Sequence, residues 1–369
     1  MFIEQKRLYT DLKIFIGVIM TLIIIGLLFI YSSSSVFALE KFGTANFFVK
    51  KQSMGILMGL IALLFARLIP LDTFKIMSPY VFFGSLVLTS MTLIPRWGEK
   101  IHGSSRWLTL FGLTFQPSEL LKITLILYLA YWLTKNGIYS NLKSKYIPFI
   151  CIMSLVAIVL LKQPDFGMTF TIITTACILF FLVQFKIKYI VITLATLVPT
   201  LMTLVYIRPY RWKRIITFLN PWHDPQGAGF QIIQSLIAIG SGSWLGIGVS
   251  NSKQKFFYLP MQHTDFIFSI IAEETGFIGS FLLITLYMIF LYCGMRIAWQ
   301  LKDDFGMLVC TGFVILTSLQ TIINLAVTTG LAPTKGIGLP FVSYGKSSLI
   351  CGMFMVGLIM NIVHTDRQY

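Results

Sequence analysis

The sequence predicts an all-α polytopic membrane protein, a single domain over residues 1–369, with about ten transmembrane helices and a long extracytoplasmic loop, residues 206–265, between helices 7 and 8. Three observations lead there. Hydrophobic residues make up 56% of the chain and charged residues only 12%, which is more apolar surface than one water-facing domain can bury. Apolar runs recur along the chain, separated by polar turns. One polar interruption is far longer than a turn, and loops beyond about 12–15 residues are usually functional or disordered.

In chain order the apolar runs cover residues 14–30, 55–69, 81–94, 120–133, 147–161, 169–183, 189–205, 266–298, 307–331 and 347–363. A hydrocarbon core about 30 Å thick takes roughly 20 helical residues, so several runs are short. Their repetition between polar turns still favours crossing segments over the core helices of a soluble protein. No small-residue cleavage site follows the first run, so it reads as helix 1 and not as a removed signal. Cys151, Cys177, Cys293, Cys310 and Cys351 lie inside apolar runs without CxxC or metal spacing, which makes them packing residues.

Orientation follows from Lys and Arg, which concentrate in cytoplasmic loops. With both termini placed in the cytoplasm, the outer side carries slightly more basic residues than the inner side. Setting aside Arg208, Arg211, Lys213, Arg214, Lys253 and Lys255 of the long loop reverses that balance, and long loops translocate largely regardless of charge. The N-in, C-in arrangement therefore stands. A basic outer surface in turn points to an anionic ligand there. Attraction of the net +15 chain to anionic headgroups is the general alternative.

The long loop reads as ordered, with an apolar stretch at 230–239 that dips toward the bilayer edge. Its Arg208, Arg211, Lys213 and Arg214 interleave with Tyr210 and Trp212, a pattern suited either to interfacial anchoring or to clamping phosphates. Nucleic acid is not an expected partner, because a lipid-embedded outer face gives it little access. Glycines at 227, 229, 240, 242, 246 and 248 loosen the middle of the loop, but no nucleotide-binding glycine motif is present.

His263, Thr264 and Asp265 stand where the loop meets the eighth apolar run. Spacing alone favours Asp265 as a helix cap over a general base. His263 has no His or Cys at metal spacing, so zinc is not expected. Helix 4 opens on Gln116, Pro117, Ser118 and Glu119, and Lys122 falls three residues beyond on the same face. Ionisable residues within a membrane pair together and mark sites, although an ion pair at a helix start is an equally simple reading. Glu273 and Glu274 are candidates for the same cavity. The turn at Gln163, Pro164 and Asp165 and the segment 333–348 are more elaborate than turns need to be.

Five segments then carry a resemblance: SSRWLTLFGLTFQPSELLK at 104–122, QPDFG at 163–167, PYRWKRIITFLNPWHDPQGAGFQIIQSLIAIGSG at 209–242, NSKQKFFYLPMQHTDFIFSIIAEETGFIG at 251–279 and PTKGIGLPFVSYGKSS at 333–348. Together they resemble the SEDS family (shape, elongation, division, sporulation) over almost the whole chain. NPW at 220–222 and PTKG at 333–336 are similar to its division members more than to its elongation members.

The resemblance implies a ten-helix SEDS fold in the bacterial inner membrane, at the division site. It implies a glycosyltransferase that polymerises lipid II, the undecaprenyl-pyrophosphate-linked disaccharide-pentapeptide, into glycan strands. It also implies a class B penicillin-binding protein (FtsI-like transpeptidase) and other divisome proteins as partners, and Mg2+ or Mn2+ as an assisting cation. The family's catalytic aspartate falls on Asp265, which overrides the cap reading. Candidate substrate-binding residues are Arg106, Glu119, Lys122, Arg208, Arg211 and Lys213. To these are added Arg214, Lys253, Lys255, His263, Lys335 and Ser343. The chain departs from the family pattern at Met261, where glutamate is usual, and at Lys346, where glycine is usual. A lipid II flippase and a non-catalytic divisome scaffold would share this fold.

Overall fold

The computed structural model describes residues 2–95, 97–101, 104–110, 113–135, 142–183, 191, 209–227, 229–255, 260 and 262–366. The seventh apolar run, residues 189–205, lies outside the described residues except for residue 191, as do Arg208, Met261 and the Arg211 side chain.

Helices dominate: α1 (Phe2–Phe42), α2 (Phe47–Leu68), α3 (Leu71–Met91), α4 (Pro117–Thr134), α5 (Leu142–Lys162) and α6 (Phe166–Val183) come first. After them follow α7 (Pro209–Leu219), α8 (Phe230–Ser241), α9 (Ile267–Gln300), α10 (Asp304–Thr328) and α11 (Lys346–Asp366). Eight of the described helices are long and apolar enough to cross a membrane. Outward-facing side chains such as Ile61 at 68% and Met288 at 60% exposure form the surface that lipid would cover. The 18-residue α4 carries Glu119 and Lys122, which lower its hydropathy, and most of its residues are buried.

Several helices outrun their apolar runs. α2 begins at Phe47 and α3 at Leu71, because the helical hydrogen-bond ladder continues through polar residues after the hydrocarbon section ends. An unexpected addition to the helical chain is a small antiparallel sheet, β1 (Gly98–Ile101), β2 (Ser104–Leu110) and β3 (Leu113–Phe115), in the order β1-β2-β3. Strict polar–apolar alternation does not mark it, since Trp107 and Leu108 are adjacent apolar residues. The stretch at 230–239 folds as α8, pinned where Ser235 Oγ lies 2.6 Å from Ser269 Oγ and donates to the Thr328 carbonyl at 2.6 Å.

The core is aromatic where α1, α9 and α10 meet. The Phe15 and Phe290 rings stack at 4.8 Å, and Phe313 and Phe341 complete the cluster. α2 lies along α11, and the approach is close because residue 357 is glycine: a Cβ there would run into the backbone of Leu63. Small residues at such crossings let helices in lipid gain packing that the hydrophobic effect does not supply.

α9 is broken at Gly276, whose φ of 66° and ψ of −161° lie in a region essentially reserved for glycine. The break leaves backbone groups unpaired, and residues 243–248 satisfy them. Ile247 and Gly248 amides donate to the Glu273 and Glu274 carbonyls at 3.1 Å each, while Phe277 and Ile278 amides donate to Ser243 and Trp244 carbonyls at 2.9 and 3.2 Å. Non-helical backbone at membrane depth persists only with such partners. Gly276→Ala is expected to destabilise the protein by about 1–3 kcal/mol from backbone strain alone. A lowered thermal unfolding midpoint in detergent would show it, and an unchanged midpoint would contradict it.

Candidate active site

At one end of the bundle, the starts of α4, α6 and α11, the turn before α9 and the segment after α10 surround a cavity of about 920 Å³. Arg106, Glu119, Arg214, Asp265, Lys335 and Ser343 all line it. Asp265 is the catalytic candidate, and the other five are the candidate substrate-binding residues that meet it there among the described residues.

Asp265 stands in the turn ahead of α9 and does not cap it: the N-cap is Phe266, which makes no side-chain cap bond. Among the described residues no hydrogen bond or ion pair engages the Asp265 carboxyl. Burial raises its pKa to about 7, and the neighbouring Asp165 pushes the same way, against the guanidinium groups of Arg106 and Arg214. Gly336 lies next to both Asp265 and Arg106: a Cβ added to it would sit 3.5 Å from Asp265 Oδ2 and 3.7 Å from Arg106 Nη1.

β2 supplies Arg106, and the sheet explains how a residue so far from α6 in sequence reaches it. Arg106 Nη2 donates to the Pro164 carbonyl at 2.7 Å, and Nε lies 3.4 Å from Asp165 Oδ2. Asp165 in turn accepts from the Met168 amide at 3.1 Å, capping α6. Burial raises the Asp165 pKa, opposed chiefly by Arg106. Lys335 lies over the faces of Phe166 and Phe170, 5.3 and 4.7 Å from their centroids, a cation–π cradle, and burial lowers its pKa. Arg214 donates to the Thr334 carbonyl at 2.8 Å. It is held by α7, whose Trp212, Ile216 and Leu219 are exposed.

Glu119 and Lys122 are paired at 2.5 Å, with side chains 9% and 6% exposed, and Lys122 also reaches Gln320 Oε1 at 3.4 Å. Other candidates sit elsewhere. Lys213 pairs with Asp224 at 3.8 Å on the surface. Lys255 is buried beside Glu274 at 3.8 Å. Glu273 and Glu274 do not line the cavity; Glu273 accepts from the Lys253 amide at 3.0 Å, and Glu274 from Ser32 Oγ at 2.6 Å. They bind residues 252–255 to α1 and α9. His263 packs among Phe48, Phe37 and Tyr344, and burial lowers its pKa to about 4, so it is neutral at neutral pH. Lys346 lays its stem on Gly55 of α2, outside the cavity lining.

Sequence reasoning did not single out Gln320 and Asn324. Both are polar, one turn apart in the apolar α10, and that pattern inside a membrane helix is itself a signal. For Mg2+ or Mn2+, no three His, Cys, Asp or Glu side chains group as a cage among the described residues. Mg2+ commonly takes one or two carboxylates plus substrate phosphates. Asp265 and Asp165 fit only that arrangement.

Comparison with known proteins adds names to this geometry. The FtsW, RodA and SpoVE family model, described as "Cell cycle protein", matches residues 12–368. A Geobacter sp. (strain M18) protein named "Probable peptidoglycan glycosyltransferase FtsW" is 40% identical over 355 residues, 96% of each chain. Stage V sporulation protein E of Bacillus subtilis (strain 168) is 37% identical over 363 residues, 98% of this chain and 99% of that one. A solved chain described as "Structural coordination of polymerization and crosslinking by a peptidoglycan synthase complex" superposes with a TM-score of 0.80. It is 28% identical, covering 96% of this chain and 98% of its own.

Proposed function

The chain belongs to the FtsW, RodA and SpoVE family of cell cycle proteins, and from that premise we propose that it is a peptidoglycan glycosyltransferase polymerising lipid II for the septal wall, with Asp265 as general base. One observation carries the assignment of the base: a carboxyl with a pKa near 7, engaged by no hydrogen bond or ion pair among the described residues, lines a cavity that Arg106, Arg214 and Lys335 also line. A general base works best when its pKa is near the operating pH.

In the proposed step, Asp265 takes the proton from the 4-hydroxyl of the acceptor sugar. The freed oxygen attacks the anomeric carbon of the donor, whose bond to the lipid pyrophosphate breaks with inversion, and the pyrophosphate leaves with the electron pair. Arg106, Arg214 and Lys335 stabilise the charge gathering on it, as fixed cations in a dry site do most effectively. A divalent cation, where one enters, would come with the phosphate oxygens and lean on Asp265 and Asp165. No part of the step described depends on it. The cavity end of the bundle is then extracytoplasmic and both termini are cytoplasmic. The partner is a class B penicillin-binding protein, in line with the polymerization and crosslinking complex to which the solved relative belongs.

The test is polymerisation of labelled lipid II by the purified protein with and without its transpeptidase partner. Glycan strands are expected, with a rate that rises as pH rises through about 7, where Asp265 loses its proton. Lipid II translocation in proteoliposomes without polymer would assign a flippase, and neither activity would assign a scaffold. A rate flat across that range would remove Asp265 as the base.

A further inference from the structure

The segment carrying Asp265 is held by its backbone, and the most buried of its holders is a residue with no other evident purpose. Three consecutive carbonyls are each occupied. His263 accepts from the Tyr344 amide at 2.9 Å, Thr264 from Ser343 Oγ at 2.6 Å, and Asp265 from Asn324 Nδ2 at 2.8 Å. Asn324 Nδ2 spends its second hydrogen on the Ile337 carbonyl, also at 2.8 Å. Both partners are acceptors, which fixes the orientation of the amide: the flipped form would set oxygen against oxygen.

Asn324 is 1% exposed in an otherwise apolar stretch of α10. Its Oδ1 has no partner among the described residues. Burying a polar group with an unmet acceptor costs stability, and an aliphatic residue would fill the site without that cost. The amide joins the turn that carries the base to the segment 335–344, which carries Lys335 and Ser343. Misplacing a reacting group by about 1 Å can cost around 100-fold in rate, and Gly336 of that segment lies beside both carboxyl and guanidinium, a Cβ there falling 3.5 Å from Asp265 Oδ2 and 3.7 Å from Arg106 Nη1.

We propose that Asn324 is a positioning residue for the glycosyl-transfer step, fixing the backbone of Asp265 against the segment 335–344 so that the carboxyl meets the acceptor hydroxyl. The inference rests on Asp265 being the base.

The experiment uses the purified protein with its transpeptidase partner and labelled lipid II. Asn324→Asp keeps the shape, removes both donors and aims an oxygen at two carbonyls; Asn324→Ala is the second variant in case the first folds poorly. The expected result is a fall in kcat of roughly 10- to 100-fold with KM within about twofold. Faster hydrogen–deuterium exchange is expected in peptides covering 262–266 and 337–345, and exchange elsewhere should be unchanged. A merely structural asparagine would lower the folded fraction but leave kcat per folded molecule intact, and that result overturns the proposal. A kcat within threefold of the parent beside an inactive Asp265→Asn overturns the positioning role alone. Full activity in Asp265→Asn removes the base, and the positioning role with it.

Discussion

Asp265→Asn is expected to abolish glycan-strand formation while leaving the protein folded and able to bind the proposed transpeptidase partner. The side chain keeps its shape but has no basic oxygen to take the acceptor proton, and positioned proton transfer contributes typically 10²–10⁴-fold. Folding has little stake in the carboxyl: it caps no helix, and no hydrogen bond or ion pair engages it among the described residues. Burial already disfavours its charged form, so a neutral amide should hold or raise the unfolding midpoint. The measurement is polymer yield from labelled lipid II at equal folded protein. More than about a tenth of parental activity would be incompatible with a base role of this size.

The second large effect is one of stability. Lys122→Met leaves Glu119 almost buried without the ammonium now 2.5 Å away. Breaking a buried pair from one side costs about 3–5 kcal/mol, whereas replacing both partners by neutral groups of similar size is often close to neutral. Lys122→Met alone should therefore sharply reduce folded yield and unfolding midpoint. Adding Glu119→Gln should recover more than half of the loss, a coupling that contacting residues show and distant ones do not. Additive losses in the double variant would mean that the pair contributes nothing as a pair. Recovered folding without recovered polymerisation would give the pair, of which Glu119 lines the cavity, a part in binding substrate.

The membrane-spanning character and the addresses of the site were legible because both are local. Hydropathy marks hydrocarbon-depth residues wherever they fall, and the segments around 104–122, 163–167 and 251–279 are contiguous words. What spacing misjudged depends on distance in three dimensions. Asp265 has the right residue type and position for a cap, yet the turn hands that place to Phe266 and leaves the carboxyl facing the cavity. Arg106 meets Asp165 only because a three-stranded sheet folds it back. Charge alone could not separate Lys335, cradled in the cavity lining, from Lys255, consumed by Glu274. Nor does hydropathy locate the break in α9: Glu273, Glu274 and Thr275 interrupt the apolar pattern just before Gly276, but a polar patch in a membrane helix marks a site as readily as a kink.

That break has a mechanical consequence. An uninterrupted 34-residue helix is a stiff rod, and any rocking of its far end in a fluid bilayer would arrive undamped at its near end. At Gly276 the rod is cut, and the four hydrogen bonds to residues 243–248 clamp both stubs to a separate part of the chain. The longer piece can therefore tilt without its motion being carried along one continuous helix axis. The short piece that follows Asp265 has its own anchorage, through the Glu273 and Glu274 carbonyls, to the segment 243–248.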